Sequence, residues 1–109
     1  MKLSYVECRR GRVHVDIEGK LNMHTVPEAR RRLLRLIKTQ DPTSVEIDFS
    51  GVESMDTSAV AMMVEVLRAA SRQEIHLDFT GMREEHEGLF TLARLHEVFG
   101  LNHDARPRG

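Results

Sequence analysis

Apolar and polar positions alternate with period two in four short stretches of the chain. Residues 3–8, LSYVEC, are the first. Residues 12–18, RVHVDIE, are the clearest: Val13, Val15 and Ile17 point one way, and Arg12, His14, Asp16 and Glu18 the other. That alternation marks a half-buried strand. The intervening Arg9-Arg10-Gly11 reads as a turn, which predicts an antiparallel hairpin. VEIDF at 45–49, turned by Ser50-Gly51, and EIHLDF at 74–79, ended by Thr80-Gly81, complete the set.

Elsewhere the apolar spacing is helical. Val26, Ala29, Leu33, Leu36 and Ile37 recur along one face, with Arg30, Arg31, Arg32, Arg35 and Lys38 on the others. Thr25 stands three residues before Glu28, as in a capping box, and Pro27 suits a first turn. Asp41-Pro42 stops this helix. DTSAVAMMVEVLRAASR, 56–72, predicts a second helix. Residues 84–98 predict a third, with Leu89, Leu92, Ala93 and Phe99 near one face and a brief strand at Phe99–Leu101. The order β-β-α-β-α-β-α implies an α/β domain with a mixed sheet of about four or five strands. Right-handed crossovers put the helices mainly on one face.

Composition narrows the function. A chain of 109 residues suits one domain, expected over 1–101, with a polar tail, NHDARPRG, at 102–109. One cysteine, Cys8, excludes an internal disulfide framework and fits a reducing compartment. No apolar run approaches the roughly 20 residues that span a bilayer, and MKLSYVECRRGR lacks the apolar stretch of a signal peptide. The expectation is a cytoplasmic protein without membrane insertion. A net charge of −1 gives no global field toward nucleic acid, and the arginines at 30–32 wrap around their helix as a solvated face. Six histidines are present, but His14 and His76 sit on strands without ligand spacing, His86 and His96 stand too far apart on the third helix, and HxxxH and CxxC are absent. Neither a metal nor another cofactor is expected. There is no GxSxG elbow or Gly-rich phosphate loop, and Asp56 beside Ser58 leaves no place for a triad histidine. An enzyme is not expected.

The chemistry concentrates in VESMDTSAVAMM, 52–63. Asp56, Thr57 and Ser58 open the second helix, whose free N–H groups need acceptors. One cap stabilises a helix by about 1 kcal/mol and does not explain three polar residues in a row. A helix N-terminus also accommodates a phosphate, so Ser58, with Thr57 as second candidate, reads as a modification site. A phosphoserine adds about −1.5 to −2 charge next to Asp56, enough to repel a partner docked there while the fold persists. Val60, Met63, Val64 and Leu67 define a core stripe on this helix. Met62, Val66 and Ala69, with Ala59, then fall on the other side and are expected to form a partner-binding surface.

The run VEIDFSGVESMDTSAVAMMVEVLRAA resembles the signature of STAS domains, the anti-sigma-factor-antagonist-like family: a strand, a Ser-Gly turn, a short apolar bridge, then Asp-Ser/Thr-Ser/Thr-Gly opening a helix. IEGKLN at 17–22 is similar to the family's Gly-x-Leu-Asp strand end, and LFTLARLHEVFGL at 89–101 to its last helix and strand. The resemblance implies partner switching by a non-catalytic module. A serine-kinase anti-sigma factor would phosphorylate the hydroxyl two residues after the Asp, here Ser58, and a PP2C-type, metal-dependent phosphatase would reset it. The unphosphorylated form would bind that kinase and free a sigma factor, so the role falls in transcription regulation. Two switch neighbours depart from the pattern. Ala59 replaces the usual glycine, with a methyl expected to crowd an incoming loop, and Asn22 replaces the usual Asp. Thr57 fits equally a sister branch, in which a STAS subunit docks on the ATPase of a phospholipid-trafficking ABC transporter without phosphorylation.

Overall fold

The computed structural model describes residues 1–86 and 88. β1 (Lys2–Glu7) and β2 (Arg12–Leu21) flank a 3-10 turn at Arg9–Gly11; α1 (Val26–Gln40), β3 (Ser44–Met55), α2 (Thr57–Arg72) and β4 (His76–Thr80) follow. Residues 84–86 and 88 are again helical, where the third helix was expected. The rest of that helix, the strand expected at Phe99–Leu101 and the tail lie outside the described residues.

The sheet order is β1-β2-β3-β4. β1 pairs antiparallel with β2, as the hairpin reading requires, through a turn in which Arg10 and Gly11 both take positive φ. β2–β3 and β3–β4 are parallel. Each parallel step carries a crossover helix, and because the order is sequential both helices fall on one face, where α1 contacts α2. Val13, Val15, Ile17, Val45, Ile47 and Phe49 point into that layer and join Leu33, Ile37, Met63 and Val66 in one buried cluster. Phe49 and Phe79 meet edge-to-face at 5.9 Å between ring centres.

Two sequence expectations fail locally. Ser50-Gly51 does not turn the chain: β3 runs on to Met55. Its register against β2 shifts between Asp16 and Glu18 and again between Gly19 and Lys20. Gly51 is needed at the first shift, because a Cβ there would sit 2.8 Å from Glu18 Cγ. The capping box at Thr25 is also absent. The Thr25 hydroxyl turns back, donating to Lys20 O at 2.8 Å and accepting from Asn22 N–H at 3.0 Å. Asn22 organises this helix start instead, its side-chain oxygen accepting the N–H groups of His24 and Thr25 at 2.9 and 3.3 Å.

Candidate functional site

The register shifts bring the ends of β2 and β3 level, with Leu21 opposite Met55. The next residues of both strands therefore meet. Asp56 N–H donates to Leu21 O at 3.1 Å, and the Met23 N–H helps stabilise the Asp56 carboxylate. Asn22, Met23, Asp56, Thr57 and Ser58 thus share one corner of the molecule, at the N-terminus of α2.

Asp56 has extended backbone and caps the helix. Its Oδ1 accepts the Ser58 N–H at 2.9 Å and also the Ser58 hydroxyl. These donors, the Ser58 hydroxyl foremost, hold the Asp56 carboxyl below its ordinary value, aided by the N–H groups of Ala59 and Met23 and opposed by partial burial. Thr57 is exposed; Asn22, Asp56 and Ser58 are half-buried. Ser58 is therefore partly exposed at the helix start, with its hydroxyl donating to the Asp56 carboxylate.

The site matches the STAS pattern in its elements: a strand end, an acidic cap, two hydroxyls and a helix. The STAS domain family model matches residues 5–106. The chain belongs to the STAS domain family. An anti-sigma-B factor antagonist of Staphylococcus epidermidis is 25% identical over 88 residues, covering 81% of each chain. Among solved structures, an anti-sigma factor antagonist from Mycobacterium paratuberculosis superposes with a TM-score of 0.76 at 17% identity, over 90% of this chain and 83% of that one. The Bacillus cell fate determinant SpoIIAA in its phosphorylated form gives 0.70 at 18%, over 88% and 86%. The chain is thus an anti-sigma-factor-antagonist-like STAS domain on the expected mixed-sheet fold. Among the described residues no helix is long and apolar enough to cross a membrane.

The structure corrects the partner-binding surface read from sequence. Met62 and Val66 are 2% and 0% exposed and belong to the core, and Ala69 is half-buried against it. The two apolar stripes of this STAS helix are one broad arc, centred on Ala59, Met63, Val66 and Ala70, because α2 is covered by the sheet and by α1. Val64 and Leu67, expected in the core, lie half-buried at its margin. The outward face instead carries Thr57, Ala61, Glu65, Arg68 and Arg72, all exposed. Glu65 is bound there by Arg30 of α1 through both carboxylate oxygens.

Ala59 also behaves differently from expectation. It is 0% exposed, so its methyl points into the core and does not meet an approaching loop. One residue of the corner carried no sequence signal. Met23 is 69% exposed and lies next to Asn22, its backbone tied to Asp56. Nothing in HTVPEA or in periodicity marks a methionine in a turn as a surface feature.

Proposed function

We propose that this STAS domain is an anti-sigma factor antagonist switched by phosphorylation at Ser58, with a serine-kinase anti-sigma factor as its partner and a PP2C-type phosphatase resetting it. The observation that carries the reading is the double hold of Asp56 Oδ1 on the Ser58 N–H and hydroxyl at an accessible helix start. In the unmodified state Asp56 fixes the Ser58 hydroxyl; on transfer Oγ bonds to the γ-phosphorus of ATP as the bond to the leaving ADP breaks, and the hydroxyl proton passes through Asp56 Oδ1 to solvent. Afterward the Ser58 O–H donor is gone and a dianion stands beside Asp56. The first-turn N–H groups of α2 offset part of that repulsion. The remainder faces outward, where Met23 and the turn around it supply the apolar anchor that Met62 and Val66 do not.

Incubation with the cognate kinase and ATP, followed by intact mass, tests the site. One phosphoryl group is expected on the wild type and none on Ser58→Ala. Ser58→Asp is expected to weaken kinase binding at least tenfold in calorimetry, and Met23→Ala to weaken it without affecting folding. A wild-type mass that never changes, together with Ser58→Asp binding like wild type, overturns the proposal and favours phosphorylation-independent docking on a transporter ATPase.

A further inference from the structure

The sheet face turned away from α1 and α2 carries a cluster that the Ser58 switch does not use. Parallel register sets His14 beside Glu46 and Asp16 beside Asp48 on β2 and β3, the two central strands. His14 Nε2 lies 3.2 Å from Asp16 Oδ1 and 3.9 Å from Asp48 Oδ2. One ligand atom from each of the three residues lies within 4.8 Å of the others. His14 Nδ1 meets Glu46 Oε1 at 3.1 Å on its other side.

We propose that His14, Asp16 and Asp48 bind a divalent first-row transition-metal ion, with Zn2+ the best fit. Bonds of about 2.0–2.1 Å put neighbouring ligands of a tetrahedral ion roughly 3.3 Å apart; His14 and Asp16 stand at that spacing, at 3.2 Å, and Asp48, at 3.9 Å from His14, closes in by a small side-chain rotation. One imidazole with two carboxylates suits zinc and its neighbours better than magnesium or calcium, which take oxygen ligands alone. Glu46 occupies the position of the outer carboxylate that orients a metal-bound histidine through its second ring nitrogen. The Ser50 N–H fixes Asp48 Oδ1 at 2.8 Å, leaving Oδ2 for the ion. Charge points the same way. Three carboxylates surround one imidazole, and among the described residues neither lysine nor arginine pairs with Asp16, Glu46 or Asp48. Three protein ligands leave a fourth position open to water or to a donor from another molecule. The cluster escapes sequence inspection because Glu46 and Asp48 reach His14 from another strand, 32 and 34 residues along the chain.

Titration calorimetry of the full chain with Zn2+, and the visible absorption of added Co2+, test the site. One equivalent is expected to bind, with Co2+ bands of low coordination number. His14→Gln and Asp48→Asn are each expected to abolish binding, and Glu46→Gln to weaken it about tenfold or more. His76→Gln, on the same face, is expected to leave it unchanged, with circular dichroism showing every variant folded. Absence of wild-type binding at millimolar Zn2+ overturns the proposal. So does one-equivalent binding that survives either His14→Gln or Asp48→Asn.

Discussion

At the residue scale, Asp56 has two tasks. It caps α2 and it holds the hydroxyl proposed for modification. Asp56→Ala is expected to lower stability by about 1 kcal/mol in denaturant titrations. Its folded-state pKa lies below the unfolded value. The cap therefore contributes fully above about pH 4 and is lost as pH falls through the folded value. Stability measured against pH should fall less steeply in acid for Asp56→Asn than for wild type. Ala59→Gly is expected to cost about 1 kcal/mol through helix propensity while leaving the rate of Ser58 phosphorylation unchanged, because the methyl faces the core. The residues of this corner were legible because cap, hydroxyls and helix are contiguous in sequence. Met23 was not, since its exposure follows from where β2 ends and not from its neighbours.

At the element scale, α2 shows how a broad apolar arc misleads. Periodicity identified the helix, but of the core stripe it assigned only Val60 and Met63 are buried. Splitting the arc into a core stripe and a docking stripe failed because the helix is clasped by both sheet and α1. Met62→Ala is accordingly expected to destabilise the domain by about 2–5 kcal/mol in chemical denaturation, as a cavity mutation does. It should leave partner affinity unchanged under conditions where the variant remains folded. A drop in affinity without loss of stability would return Met62 to the surface. The strand starts and the mixed sheet were readable from alternation, while the strand order comes from the structure; β3 was read too short, because Ser-Gly usually marks a turn. Here the glycine serves close approach to β2 instead.

At the scale of the whole molecule, α1 and α2 lie on one side of the sheet, so among the described residues its two faces are unlike. One is a continuous apolar core; the other presents the His14 cluster and a groove of about 630 Å3 lined by Val6, Arg12, Ser44, Glu46 and His76, among others. The central strands carry the core, so amides of Val15, Ile17, Ile47 and Phe49 should exchange slowest with deuterium, and those of the edge strand β1 sooner. Uniform protection across β1 to β3 would contradict that gradient. The long β3 has one more consequence. From Asp48 to Met55 it takes seven steps where β2 takes five from Asp16 to Leu21. The first surplus residue flips the phase of the pleat, so that Phe49 and Val52, of opposite parity, both face inward, and the second, after Val52, restores it. A single deletion between them would rotate everything downstream and deliver Asp56 to the wrong side of its helix. Natural variants of this chain should tolerate changed length in the hairpin turn at Arg9–Gly11 far more readily than in this stretch.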